Sequence, residues 1–284
     1  MSCIAIVRAE LFRLTRTRAG RLGLLAPALL GGGQVLIGEL LAGVKAARAL
    51  AESGAIEGAA QVETAFGPLA DGLGGLGAMA LVMIALLTGA FTIVRERDQG
   101  SLPQWLLARS RGDLVVGKAL ATCLYVIVAF VALFVASMGA AALRHDFSAI
   151  VEDGFEMASA QEQWIEVARA VGAGLPAILC CACFGVLVSA ATASVGAAAV
   201  GAVVPFTLLA LFQTTLGSAA ERLFIAYAPF FSERAPLARL TKVARAYSDT
   251  HWESGELLRA TLVPGGEAVA CLVLAWFITR RRAA

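Results

Sequence analysis

The chain has 284 residues, 59% of them hydrophobic and only 15% charged, with a net charge of +2. Soluble domains average about 45–50% apolar and about 25% charged residues. The composition therefore excludes intrinsic disorder and argues against a soluble enzyme or a basic nucleic-acid-binding module. It points to a protein whose solvent is mostly lipid.

Crossing a hydrocarbon core of about 30 Å takes about 20 apolar residues in a helix. In chain order, the hydropathy pattern predicts six spans: 22–44, 76–94, 114–143, 171–191, 194–216 and 262–279. The uncharged stretch 170–220 is too long for one crossing and must fold back, with a turn near Thr192 to Val195. Transmembrane β-strands are shorter and alternate in polarity, so the predicted fold is an all-α integral membrane protein.

The first 21 residues carry five arginines, with Ile4, Val7, Leu11 and Leu14 recurring at helical spacing and Arg8, Arg13 and Arg16 on other faces. This pattern reads as an amphipathic helix lying on the inner leaflet, not as a signal peptide. Thirteen of the 23 lysines and arginines gather in the segments before the first span, between spans two and three and after the last. The positive-inside rule then places both termini in the cytoplasm. The expected location is a plasma membrane, the inner membrane of a bacterium.

Segment 217–259 falls outside on this reading. Phe224, Ile225, Phe230 and Phe231, followed by Leu237, Leu240 and Tyr247 at helical spacing, predict short helices dipping into the outer leaflet.

Reactive groups are sparse. The two histidines, His145 and His251, are far apart and fall in outside segments. Glu39 and Glu267 lie toward the outer ends of their spans, which argues against a carrier coupled to protons or sodium. Cys180, Cys181 and Cys183 share one apolar run and read as packing residues, not metal ligands. Residues 112–118 nearly match GxxxxGK[ST], but Ala119 replaces the hydroxyl and no strand precedes it, so nucleotide binding there is not expected. No catalytic, cofactor-binding or metal-ligating residue is assigned. Gly31, Gly32 and Gly33, with Ser189, Ala193, Ala197 and Gly201 at four-residue spacing, offer close helix contact, which serves packing within one subunit or between two. Gly31, Gly32, Gly33, Ala197 and Gly201 are thus candidate dimer or path-lining positions.

The loop between spans two and three, 99–111, is the most informative segment. Gly100 breaks the preceding helix, Ser101 is a good N-cap and Pro103 fits a first helical turn. A short helix then brings Leu102, Trp105 and Leu106 together, with Arg109 and Arg111 near its C-terminal end. Such an apolar knob is costly unless covered, either by a partner or by the chain's own helices.

The run Glu96-x-x-x-Gly100-Ser101-Leu102, then Leu106-Leu107, Ser110-Arg111 and Gly117-Lys118, resembles the signature of type 2 ABC transporter permeases. Where that family often has proline before Ser-Arg, this chain has Arg109. The resemblance implies that 99–111 holds a coupling helix docking into a separate ATPase subunit through Glu96, Gly100, Leu102, Pro103, Trp105, Leu106, Arg109 and Arg111. It further implies that ATP and Mg are bound by that subunit and not by this chain. A second permease copy or a paralogue would complete the path, faced by spans one, two and five, with membrane lipid around it and no nucleic acid involved. The chain is then expected to be the non-catalytic half of an exporter. The main alternative is a membrane anchor or sensory module associated with the same kind of ATPase.

Overall fold

The computed structural model describes residues 3–53, 64–100, 111–152, 155–244 and 254–282. Helix α1 (Cys3–Arg16) is followed at once by α2 (Arg18–Ser53). Then come α3 (Phe66–Gly74), α4 (Leu76–Phe91) and α5 (Val94–Asp98). Helix α6 (Arg111–Ala142) leads into a two-stranded antiparallel hairpin, β1 (Ile150–Glu152) and β2 (Phe155–Ala158). Helices α7 (Ala160–Ala191) and α8 (Val195–Leu211) meet at a tight turn. The short α9 (Gln213–Leu216), two 3-10 turns (Gly217–Arg222 and Phe224–Tyr227), α10 (Pro236–Ala244) and α11 (Ser254–Arg282) complete the chain.

Five stretches are long and apolar enough to cross a bilayer: Arg18–Val44, Phe66–Asp98, Gly112–Ala142, Ala160–Ala191 and Gly255–Arg281. Helix α8 is equally apolar but has 17 residues. Hydropathy alone starts the second span at residue 76; in the structure α3 extends the apolar path back to Phe66, with a break at Gly75. The Gln34 side chain sits in that break, accepting from Leu76 N–H at 2.6 Å and donating to the Asp71 carbonyl at 3.3 Å. A half-buried side chain thus replaces helix bonds lost at the kink. The all-α membrane fold fits, with the short β1–β2 hairpin as an addition between the long helices. Helix α7 also begins before residue 171, at a Ser159–Glu162 capping box that satisfies its first N–H groups.

Helix α7 is the hub, packed by α4, α6, α10 and α11, while α2 lies along α6. The α4–α7 crossing is glycine-mediated: a Cβ on Gly89 would run into the Ala182 carbonyl, and one on Gly185 into the Leu86 carbonyl. Close approach of this kind is how lipid-solvated helices gain packing contact without a hydrophobic drive. The outward faces carry Leu29, Ile37 and Leu40 on α2, Val200, Val204 and Leu208 on α8, and Leu262, Val269 and Val273 on α11, all exposed. Such surface is unstable in water and natural in lipid.

The short elements after α8 are less exposed than helices dipping into lipid would be. Phe224, Ile225, Tyr227, Leu237 and Leu240 are buried against the bundle, while Phe231 is half-buried and Phe230 exposed. Phe224 stacks near Phe184 and Phe206, and α10 packs on α3 and α7. The 3-10 backbone at Phe224–Tyr227 is therefore covered by protein, the condition for irregular backbone at this depth. Tyr247 lies outside the described residues.

Replacing Gly185 with Leu is expected to lower the apparent unfolding temperature in detergent by about 5 °C or more, an overpacking cost of about 1–3 kcal/mol. Gly139→Ala, at a position with open space around the α-carbon, should leave the thermal scan unchanged.

Candidate functional site

The helices on either side of the signature loop are joined by a buried charge cluster. Lys118, on the first turns of α6, has no exposed surface. A lone ammonium at such a site is very costly, and three acceptors meet it. Its Nζ donates to the Glu96 carboxylate at 2.6 Å, to the Thr92 carbonyl at 2.9 Å and to the Glu10 carboxylate. Arg13, on the same helix as Glu10, pairs with it at 2.7 Å and stands 3.9 Å from Glu96. Two carboxylates and two cations balance, so the cluster is neutral as a whole. It binds α1, α5 and α6 around a small cavity of about 70 Å³.

This arrangement reassigns the faces of α1. The hydropathy stripe Ile4, Val7, Leu11 and Leu14 puts Arg13 on another face and assigns Glu10 no role. In the structure Ile6 and Glu10 are buried, Val7, Leu11 and Leu14 are half-buried, and Ile4 and Phe12 are exposed. Electrostatic demand from Lys118 sets the rotation. Ile6 then seats against Gly117, where an added Cβ would lie 2.9 Å from it. Residues 112–118 therefore lie within α6, with Gly117 and Lys118 both taken up by α1.

A second linkage joins the α4–α5 bend to the α7–α8 turn. The helix breaks after Phe91, where the Thr92 hydroxyl donates to the Gly89 carbonyl at 2.6 Å. The freed N–H groups of Ile93 and Val94 both donate to the Ser189 hydroxyl, at 3.0 and 2.9 Å. Arg97 donates to the Thr192 carbonyl, and the Asp98 carboxylate accepts from Val195 N–H at 3.2 Å, at the N-terminus of α8. Gly100 closes α5 with a left-handed φ of +67°, a conformation available to glycine without strain. The residues entering the signature loop are thus held by α1, α6, α7 and α8 together.

Of the loop residues expected to dock a partner, Glu96 and Gly100 lie in this anchor. Leu102, Pro103, Trp105, Leu106 and Arg109 lie outside the described residues, and Arg111 opens α6. The small-residue candidates divide. Gly31 and Gly32 are taken by packing within the chain, Gly31 against Leu133 and Gly32 against the Ala136 carbonyl at 3.3 Å. Gly201 faces Val188 at 3.1 Å. Ala197 is exposed and the space around Gly33 is open. Hydropathy did not reveal Glu10, Arg13, Lys118 or Ser189 as a connected set. Their signal was faint: a charge or hydroxyl within an apolar run, with its partner far along the chain. His145 is a similar case, 2.8 Å from Glu39 across the opposite end of the bundle; His251 lies outside the described residues.

The long apolar helices and outward apolar faces define a multi-pass membrane protein. The chain matches the family model for the ABC-2 family transporter protein over residues 19–249. It belongs to that family, and this agrees with a type 2 ABC permease. A comparison with curated proteins finds no match.

Lys118→Met strands Glu10 and Glu96 without their shared cation and is expected to cost about 3–5 kcal/mol of stability. Adding Glu96→Gln should recover part of that loss, since the double variant leaves Glu10 paired with Arg13 and the cluster without net charge. Thermal unfolding of the full chain in detergent reads both effects. Ser189→Ala leaves two N–H groups unpaired and should cost about 1–3 kcal/mol.

Proposed function

We propose that this chain is the membrane-spanning permease subunit of an ABC exporter, coupling ATP hydrolysis by a separate ATPase subunit to movement of a substrate through or out of the membrane. The observation carrying this reading is the double anchoring of α5. The chain enters the signature loop from a segment tied by Lys118 to α1 and α6, and by Ser189, Thr192 and Val195 to α7 and α8. Force applied to the loop by a partner would reach four helices through short, buried contacts. A loop serving only as a tether would have no use for this stiffness.

In this reading the loop 99–111 is the coupling helix, and Leu102, Trp105 and Leu106 form its docking knob. ATP and Mg bind to the ATPase, and this chain performs no chemistry. Helix α8 counts as the fifth of six crossings, since 17 residues lie at the lower bound for a span. Both termini, Lys118 and the arginines at 280–282 face the cytoplasm of a bacterial cell. A second permease copy or a paralogue covers part of the outward faces of α2 and α8, near Gly33 and Ala197, and the path forms between the two.

Substituting Trp105 or Leu106 with Glu, with a cognate ABC ATPase co-expressed, is expected to abolish co-purification of the ATPase while leaving membrane insertion intact. Loss of a buried aromatic anchor weakens binding by about 30-fold or more. Undiminished co-purification in both variants would sink the coupling role. ATPase activity that never responds to any substrate in reconstituted vesicles would favour an anchor or sensory module instead.

A further inference from the structure

The end of the bundle away from Lys118 holds an open cleft of about 550 Å³, lined by Ser218, Ala219, Glu221, Arg222, Arg259 and Val263. It lies between the first 3-10 turn and the start of α11. Its depth follows from α11 itself. Arg259 and Arg280 stand about 30 Å apart at about 1.5 Å per residue, the thickness of a hydrocarbon core. Arg280 and Arg281 lie over the rings of Trp276 and Phe277, at 5.7 and 4.3 Å, as expected where aromatic residues mark a membrane boundary. Arg259 and the cleft are thus level with the headgroups of the other leaflet.

The cleft carries surplus positive charge. Glu221 is its one carboxylate, and Arg234 from outside the lining pairs with it. Arg259 stands 3.7 Å from Glu221, an ion pair without a hydrogen bond, so Glu221 holds it only loosely. Arg222 is exposed and makes no ion pair among the described residues. Ser218 adds a hydroxyl. Two guanidinium groups and a hydroxyl on one wall match a phosphate, whose oxygens take the planar donor fork in pairs. Below them the wall turns apolar at Val263, and the adjoining surface of α11 exposes Leu258 and Leu262.

We propose that this cleft binds a phosphate group, held by Arg222, Arg259 and Ser218. A phospholipid headgroup is the ligand that uses both parts of the surface: phosphate against the arginines, acyl chains along Leu258 and Leu262. The Glu221 carboxylate acts as a gate, since it competes with the ligand for Arg259.

The test uses the full chain in detergent, with phosphatidylglycerol retention counted by native mass spectrometry. Arg222→Gln combined with Arg259→Gln should weaken retention by about tenfold, the loss expected for charge-assisted bonds. Glu221→Gln should strengthen it, an effect that misfolding would not produce. Displacement of the lipid by millimolar inorganic phosphate supports a site for free phosphate. Retention that withstands inorganic phosphate supports a lipid headgroup. Retention unchanged in both the double-arginine variant and Glu221→Gln would overturn the proposal.

Discussion

A lysine with no exposed surface must be neutralised where it stands. Lys118 lies at the base of α6, and the nearest stretch of its own helix offers no acid that reaches it. Its partners come from elsewhere: Glu10 on α1 and Glu96 on α5. The requirement is strong because the penalty for an unpaired ion in a dry site amounts to several kcal/mol. It fixes where the amphipathic N-terminal helix docks, how that helix is rotated about its axis, and where the chain leaves the bundle toward the signature loop. Arg13 completes the balance, so the whole group sits in the interior without net charge. Neutral but internally ionic, the cluster resists sliding. Each helix can move only by taking its partner along.

The Ser189 linkage works by a different principle. A helix that stops at Phe91 leaves backbone donors without acceptors, and at this depth no water can serve them. One hydroxyl on α7 takes two of these donors. Two further bonds, from Arg97 to Thr192 and from Val195 to Asp98, join α5 to the turn before α8. Together with the glycine crossing at Gly89 and Gly185, these contacts make α4, α5, α7 and the start of α8 one stiff unit. Under the proposed function, that unit is the lever on which an ATPase would act.

The opposite end is built of other materials. Phe66, Phe147 and Trp164 form an aromatic cluster with ring centroids 5.0–5.2 Å apart. Phe206, Phe224 and Phe231 form a second one. Between them the segments after α8 fold back onto α3 and α7 as a lid of short helices. Burial of large rings holds this end, with no ion pair as deep as that of Lys118 among the described residues. The charges that are present lie at its rim, around Glu221, Arg222, Arg234 and Arg259, where a leaflet surface would meet them. One end is thus pinned by charge inside protein, and the other by apolar packing with charge outside.

Much of this molecule is legible in the linear sequence, because lipid solvation acts on every residue of a span alike. The long uncharged runs, the fold-back between Thr192 and Val195, and the Glu96 to Lys118 signature need no knowledge of neighbours. The chain's place among ABC-2 family proteins follows from the same local text. Span limits are less visible, since helices such as α2 and α7 run on past the apolar stretch once caps and packing support them. The pairings, in contrast, exist only in the folded chain. Glu10 and Lys118 are 108 residues apart, and Ile93 and Ser189 are 96 apart. No periodicity spans such distances. A hydropathy stripe assigns Glu10 no role because it weighs the side chain against water alone; in the folded chain the weighing is against a buried ammonium. The glycines follow the same logic. Gly31, Gly32 and Gly33 are identical as text, and only the position of α6 determines that the first two are filled by their own chain while the third faces open space.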